Sequence, residues 1–300
     1  MKLRIGSRKS SLALWQTHHV EALLQAAHPG LDVEVVTMDT LGDKRRDVPM
    51  PSLGAKGLFT QELEEALLSD DIDLAVHSLK DLPSTLPEGL IYTGSPERGA
   101  PTDAFISRKW SSLNDLPEGA TVATGSQRRR AQLLHLRPDL NLVDLRGNIG
   151  TRLDKLDRQG FDGIIMATVA LHRLEMVDQI TQELDPTLYV PAVSQGAIGI
   201  ETRQGRRDVE ELLSPIFHQA TIAAVSAERA FMGRLEGGCS VALGAYCQPA
   251  GEKWTFHGWV SSPDGQSTLR DSKTGGSPLE LAIDMAEDFL KRGARDILRS

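Results

Sequence analysis

The chain has few of the features that mark secreted or membrane proteins. Only two of its 300 residues are cysteine, too few for a disulfide framework. The longest apolar-rich run, residues 164–171, is far too short to cross a bilayer. The first residues contain no apolar stretch typical of a signal peptide. Hydrophobic residues make up 40% of the chain, so we expect a soluble, cytoplasmic protein with ordinary globular cores.

Several sequence motifs are also missing. There is no Cys-x-x-Cys and no His-Glu-x-x-His, so we expect no dedicated metal site. The segment GAKG at 54–57 lacks the first glycine of a phosphate loop and the Ser or Thr after its lysine. A dinucleotide Gly-rich fingerprint is absent as well. These absences exclude the common nucleotide sites.

The net charge of -8 should repel nucleic acid, which gives local clusters of arginine more meaning. A run of three arginines occupies 128–130, and Arg146 and Arg152 follow closely. Although each of these could belong to an ordinary solvated surface, their positions along the chain favour a binding role.

Three predicted strands pass directly into helices. We predict strands at 3–6, 121–124 and 141–145 and helices at 11–27, 127–135 and 151–159. The connections contain Ser, Thr, Gly or Asn beside arginine. Helix N-termini offer unpaired N–H groups, and ligands of open α/β sheets bind at the carboxyl ends of strands. The pattern predicts a pocket for a ligand with several carboxylates or phosphates.

One carboxylate, Asp81, is of interest beside these arginines. Residues 73–77 predict a buried strand, and Pro83 prevents its continuation as a central strand. Lys80 and Asp81 therefore fall at the carboxyl end of the strand. They could form only a surface ion pair, or Asp81 could stabilise a positive charge that develops on a substrate.

Cys239 follows two glycines in LEGGC at 235–239, where small residues leave room for a ligand to approach the sulfur. It is either a reactive attachment point or a buried, inert side chain. Cys247 is predicted to be packed in a strand.

Five segments resemble the porphobilinogen deaminase family, collinearly over nearly the whole chain. They are RIGSRKSSLA at 4–13, VHSLKDLP at 76–83, LRGNIGTR at 145–152, PAVSQGA at 191–197 and LEGGC at 235–239. Ser194 stands where the family frequently has glycine.

The resemblance implies a transferase of tetrapyrrole and heme biosynthesis. It would join four porphobilinogen molecules head to tail into hydroxymethylbilane and release four ammonia molecules. The primer would be a dipyrromethane cofactor, one per chain, held by a thioether to Cys239. A monomer is implied, with its product passed to uroporphyrinogen-III synthase.

The resemblance also implies roles for single residues. Asp81 would be catalytic, since a carboxylate near the pyrrole nitrogens stabilises cationic intermediates. The expected cofactor contacts are Lys80, Asp81, Ser126, Arg128, Arg129 and Arg146. The expected substrate contacts are Arg8, Ser10, Lys56, Phe59, Ser78, Thr124, Arg146, Arg152, Arg173 and Gln195.

The predicted fold class is α/β, with two periplasmic-binding-protein-like α/β domains and a small C-terminal α+β domain. Domain 1 takes residues 1–96 and 197–216, domain 2 takes 97–196, and domain 3 takes 217–300. The chain would cross near 95–102 and 191–196. Short strands are predicted within 241–270 and one closing helix at 279–298. Residues 43–57 are a lid over the cleft or an ordinary disordered loop, and the resemblance favours the lid.

Two other function classes fit part of the pattern. A non-catalytic anion-binding protein would need the arginine junctions but would leave Cys239 idle. A cysteine hydrolase would need a general base, and nothing in the sequence pairs His77 with Cys239.

Overall fold

The computed structural model describes residues 2–40, 60–235 and 241–299, which divide between two compact units. Unit 1 comprises Met1–Gly99 and Gly196–Ile222, and unit 2 comprises Ala100–Gln195 and Ala223–Ser300. The further division of unit 2 into two domains stays a prediction. In the described part of the chain, no helix is both long enough and apolar enough to span a membrane.

The strands and helices alternate through much of the chain. The strands are β1 (Lys2–Arg8), β2 (Asp32–Met38), β3 (Leu74–Ser78), β4 (Leu90–Gly94), β5 (Asp103–Ile106), β6 (Thr121–Ala123), β7 (Asn141–Val143), β8 (Gly163–Ala167), β9 (Gln182–Glu183), β10 (Ile198–Arg203), β11 (Leu243–Ala250), β12 (Lys253–Ser261) and β13 (Thr268–Gly275). The helices are α1 (Ser11–Ala27), α2 (Gln61–Leu68), α3 (Gln127–Leu136), α4 (Ile149–Gln159), α5 (Thr168–Arg173), α6 (Arg207–Leu213), α7 (Gln219–Arg234), α8 (Pro278–Lys291) and α9 (Ala294–Arg299).

Unit 1 is built on a five-stranded sheet in the order β2-β1-β3-β10-β4. Strands β1, β2 and β3 are parallel, whereas β10 is antiparallel to both of its neighbours. Central strand β3 is buried on both faces: Leu74 and Val76 pack in one apolar cluster with α1, and Ala75 packs in another with α2. This two-sided burial explains the continuous apolar run that predicted the strand.

Unit 2 repeats this arrangement in the order β7-β6-β8-β5-β9. Strands β6, β7 and β8 are parallel, and β5 is antiparallel to β8 and β9. Helices lie between the parallel strands along the chain, as right-handed crossover connections require. The carboxyl ends of β6 and β7 therefore meet at one edge of the sheet.

The C-terminal part of unit 2 is an antiparallel meander of β11, β12 and β13 packed against α7, α8 and α9. Phe231, Phe256 and Phe289 form its aromatic centre, with ring centroids 5.4 and 5.7 Å apart. The two α/β sheets and this smaller α+β part confirm the predicted fold class.

One predicted element is wrong. The single helix expected at 279–298 is two helices, α8 and α9, separated at Arg292 and Gly293. Gly293 has a φ of 88°, in the left-handed region that ends a helix and that glycine adopts without steric cost.

The segment 191–196 contains a second left-handed residue of note. Ser194 has a φ of 61°, and its backbone N–H donates to the buried Glu228 carboxylate at 2.6 Å. A positive φ favours glycine, which gives a physical reason for the glycine that the resembled family frequently has there.

Candidate active site

Four of the predicted residues of unit 1 gather at the carboxyl ends of β1 and β3. A cavity of about 70 Å³ is lined by Arg8, Ser10, Leu12, Ala13, Gln16, Thr60, Val76, His77, Ser78 and Asp81. Strands β1 and β3 are parallel neighbours, so their carboxyl ends open at the same edge of the sheet. The structure thus brings together four residues that the sequence analysis assigned: Arg8, Ser10, Ser78 and Asp81.

Asp81 is presented by a short turn. The segment Leu79–Asp81 is one turn of 3₁₀ helix directly after β3. The Leu79 N–H donates to the Ala197 carbonyl at 3.0 Å, and the Leu79 and Leu82 side chains are fully buried. Because buried leucines hold both ends of the turn, the backbone that carries the exposed Asp81 carboxylate is fixed in position. The predicted place of Asp81 at the end of its strand is confirmed.

Three further polar residues, Gln16, Thr60 and His77, line this cavity without having been predicted. Gln16 donates from Nε2 to Ser78 Oγ at 2.8 Å, and its side chain is almost fully buried. Gln16 lies on the buried face of α1 with Ala13 and Val20. A polar residue at an apolar position of the helix was the sequence signal that could have identified it. His77 lies 3.0 Å from Glu201 through Nε2, and both side chains are buried.

In unit 2, two strand–helix junctions lie side by side. Ser126 caps α3 by accepting the Arg129 N–H at 3.4 Å, and Asn148 caps α4 by accepting the Thr151 N–H at 2.9 Å. The Thr124 N–H donates to Val143 of the neighbouring strand at 2.9 Å. Ser10 caps α1 in unit 1 in the same way, by accepting the Ala13 N–H at 3.3 Å. All three predicted junctions are therefore confirmed as capped helix starts, one in unit 1 and two in unit 2.

Arg146 lies in the junction before α4, and Arg152 lies in the first turn of this helix. Arg146 donates from Nε to Asp144 Oδ2 at 2.7 Å, and its side chain stays 36% exposed. Arg152 donates from Nε to the Gly147 carbonyl at 2.8 Å. The exposed pair of Arg146 contributes little stability, because water screens such contacts. The Arg146 guanidinium on the loop and the Arg152 guanidinium in the first turn of α4 are therefore both placed where a ligand carboxylate can compete for them.

Arg128 and Arg129 have a different environment, since both are buried beside Asp103. Arg128 donates from Nη2 to Asp103 Oδ2 at 2.7 Å, and Arg129 donates from Nη2 to Oδ1 at 2.7 Å. Burial by itself raises the pKa of Asp103, but the two guanidiniums outweigh it and hold this pKa well below its usual range. Asp103 was not predicted; a charged residue opening an apolar strand was its only signal.

Gln195 and Arg173 are the remaining predicted residues in this unit. Gln195 is fully buried and donates from Nε2 to Asp103 Oδ1 at 2.8 Å, so it belongs to the same network. Arg173 ends α5 and is 6% exposed, and burial lowers its pKa to about 10. A guanidinium with this pKa is still charged at neutral pH.

Three predicted residues, Lys56, Phe59 and Cys239, lie outside the described residues, as do the segment 43–57 and its predicted lid. Helix α7 ends at Arg234, before Cys239 in the chain. Cys247, predicted to be packed in a strand, is buried in β11 and donates its N–H to Glu228 at 2.9 Å.

Comparisons with known proteins cover nearly the whole chain. Residues 3–211 match the family described as porphobilinogen deaminase, dipyromethane cofactor binding domain, and residues 222–291 match its C-terminal domain. A curated porphobilinogen deaminase of Carboxydothermus hydrogenoformans is 48% identical over 296 residues, which is 98% of this chain and 95% of that protein. The chain belongs to the porphobilinogen deaminase family.

The enzyme is accordingly a transferase of tetrapyrrole biosynthesis that works with a dipyrromethane cofactor. It condenses four porphobilinogen molecules stepwise into hydroxymethylbilane and releases four ammonia molecules. Membership of this family decides against the non-catalytic binding protein and the cysteine hydrolase that the sequence pattern left open.

Solved structures with weaker similarity were also found. The VFT2 domain of BvgS from Bordetella pertussis is 16% identical, with a TM-score of 0.43 over 76% of this chain and 92% of that chain. A putative methionine-binding lipoprotein of Bacillus subtilis is 13% identical, with a TM-score of 0.43 over 74% of this chain and 92% of that chain.

Proposed function

We propose that Asp81 is the catalytic carboxylate of the condensation and that Cys239 holds the dipyrromethane through a thioether. The observation that carries the first part is the place of Asp81, exposed on an anchored turn in a cavity that also contains Arg8, Ser10 and Ser78. Lys80, half-buried beside Asp81 on this turn, is assigned to the cofactor.

The role of Asp81 follows from the charge of the reaction. When ammonia leaves porphobilinogen, the aminomethyl carbon becomes part of a cationic azafulvenium, and coupling then passes through a protonated pyrrole. A carboxylate about 4 Å from such a cation gains roughly 4 kcal/mol at the effective dielectric constant of a protein surface. Because the turn is held by buried leucines, little reorganisation opposes this gain.

The proposed role of the arginines follows from the negative charge of the substrate. Each pyrrole unit carries an acetate and a propionate, so carboxylates accumulate as the chain grows. We assign Ser126, Arg128, Arg129 and Arg146 to the cofactor, and Arg8, Ser10, Ser78, Thr124, Arg146, Arg152, Arg173 and Gln195 to substrate, with Lys56 and Phe59 of the undescribed segment. Arginine suits this task because its planar guanidinium binds a carboxylate through two hydrogen bonds.

The residues of unit 2 fit an anionic cofactor. Within the described parts of the chain, Arg128 and Arg129 carry two positive charges against the single carboxylate of Asp103, and Arg128 Nε is buried without a hydrogen-bond partner. A buried surplus of positive charge favours an added anion. When bound, dipyrromethane supplies the pyrrole carbon to which the first porphobilinogen is joined.

The proposal also extends to the setting of the enzyme. We place it in the cytoplasm as a monomer, with uroporphyrinogen-III synthase as the recipient of the product. The low cysteine content supports the compartment. Hydroxymethylbilane is a linear tetrapyrrole, which fits its use by a cyclising enzyme.

The test compares Asp81→Asn with Asp81→Glu on protein that already carries its cofactor, in single-turnover product formation. Asparagine is nearly the same size but cannot offset the cation, so we expect a loss of about a hundredfold or more. Glutamate keeps the charge but misplaces it, and a trace of activity should remain. Asparagine activity close to wild type would show that Asp81 has no catalytic role.

A further inference from the structure

Asp103 is the centre of a buried network in unit 2 that no sequence pattern had singled out. Its Oδ1 accepts from Arg129 Nε at 3.0 Å, from Arg129 Nη2 at 2.7 Å and from Gln195 Nε2 at 2.8 Å. Its Oδ2 accepts from Arg128 Nη2 at 2.7 Å. The Asp103 side chain is 1% exposed, so all four contacts are shielded from water.

Three other donors of the network go to backbone carbonyls. Arg128 Nη1 donates to Val190 at 2.8 Å, and Arg129 Nη1 donates to Ile165 at 3.3 Å. Gln195 Nε2 also donates to the Pro101 carbonyl at 2.8 Å. The two guanidinium planes are therefore fixed from several directions, which restricts their rotamers before any ligand arrives.

The charge of the network is unbalanced. Among the residues that the structure describes, Asp103 is the sole carboxylate within 4.0 Å of the Arg128 and Arg129 guanidiniums. Two cations against one anion leave a net charge of about +1 in a region of low dielectric, where an unpaired charge is costly. Burial accordingly lowers the pKa of Arg128, and the pull of Asp103 only partly restores it.

We propose that Asp103 is the positioning residue that orients Arg128 and Arg129 for the carboxylates of the dipyrromethane, and that the bound cofactor supplies the counter-charge that this network lacks. The inference rests on the proposed binding role of the two arginines. It adds that their orientation, as well as their charge, is set before the cofactor is attached.

Two measurements test this role, and the first is the rate of cofactor loading. Protein produced without a supply of porphobilinogen is incubated with porphobilinogen, and intact mass reports the fraction that has gained two pyrrole units. We expect Asp103→Asn to load about tenfold or more slowly, because the arginines lose their common anchor. Loading at the wild-type rate would overturn the inference.

The second measurement is the midpoint of thermal unfolding of loaded and unloaded protein, with Cys239→Ser as the unloaded form. Asp103→Asn should lower the midpoint more in the unloaded protein, because the cofactor carboxylates replace part of the missing negative charge. A purely structural ion pair would give equal losses in both forms, and that result would overturn the inference.

Asp73→Asn is the matched control. Asp73 is also a largely buried carboxylate between two arginines, Arg4 at 3.0 Å and Arg206 at 3.2 Å, but it precedes β3 at the opposite end from Asp81. For Asp73→Asn we expect the midpoint of thermal unfolding to fall equally in loaded and unloaded protein, and the rate of cofactor loading to stay normal.

Two further comparisons keep the result interpretable. If Asp103→Asn does not fold, the double variant Asp103→Asn/Arg128→Gln replaces it, because this variant restores the net charge of the network. The double variant should load cofactor more slowly than Arg128→Gln alone. Equal loading rates of these two variants would overturn the inference. Normal loading by both Arg128→Gln and Arg129→Gln would instead refute the proposed binding role of the arginines. Slow loading by these two variants beside normal loading by Asp103→Asn would refute the positioning role alone.

Discussion

Gly199 in β10 offers a way to displace the Asp81 turn without altering any polar group. It pairs with His77 of β3, and a Cβ added there would lie 2.7 Å from Leu79 Cδ1, 3.3 Å from Leu79 Cβ and 3.5 Å from Leu79 Cα. The first contact is far too close for two carbon atoms, and the second is tight. Leu79 is fully buried, so it cannot simply rotate away.

Gly199→Ala should therefore push the Leu79–Asp81 turn outward by a few tenths of an ångström. Overpacking of this kind costs about 1–3 kcal/mol of unfolding free energy. A misplacement of about 1 Å costs on the order of a hundredfold in rate, so a smaller shift should slow single turnover roughly tenfold.

The assay measures single-turnover product formation on cofactor-loaded Gly199→Ala, together with denaturant unfolding. Gly6→Ala is the control, because its added Cβ would meet Ile72 Cδ1 at 2.3 Å and Leu63 Cδ2 at 2.9 Å, both ends of buried side chains away from the turn. The control should lose similar stability and keep its turnover. Equal turnover in the two variants would refute the argument that the position of Leu79 sets that of Asp81.

Three other outcomes are expected. Cys239→Ser should fold without cofactor or activity, because a hydroxyl is a far weaker nucleophile than a thiolate, whereas Cys247→Ser should keep its cofactor and its activity. Intact mass shows which variant carries the cofactor, and the reverse result would show that the assignment of Cys239 is wrong. Arg146→Leu or Arg152→Leu should stall with fewer pyrrole units attached, and a normal ladder of intermediates in mass spectra of both variants would contradict their role. Burial raises the pKa of Asp73, but Arg4 and Arg206 more than reverse this, so its folded pKa lies below the ordinary 3.8. Ionised Asp73 therefore stabilises the fold above about pH 4, and this contribution to the unfolding free energy is lost as the pH falls. The difference in unfolding free energy between wild type and Asp73→Asn should shrink from pH 5 to pH 2.

The sequence alone determined the features that depend on neighbouring residues. A capping side chain reaches a backbone N–H three residues away, so Ser10, Ser126 and Asn148 could be recognised from local pattern. Pro83 similarly fixed the end of β3 near Asp81. The closing helix was misjudged because apolar periodicity continues past Gly293, where the backbone reverses to a φ of 88°.

The tertiary structure decided which of the arginines are buried on a distant carboxylate. The partners of Asp103 lie 26 residues away at Arg129 and 92 residues away at Gln195. Gln16 meets Ser78 across 62 residues. No local pattern encodes such contacts, because they arise only when distant strands and helices pack and exclude water. The sequence showed 128–130 only as a continuous run, whereas the fold buries Arg128 and Arg129 against a carboxylate, because desolvated charges must be paired. Arg146 pairs with Asp144 at a partly exposed position, where such a pair adds little stability.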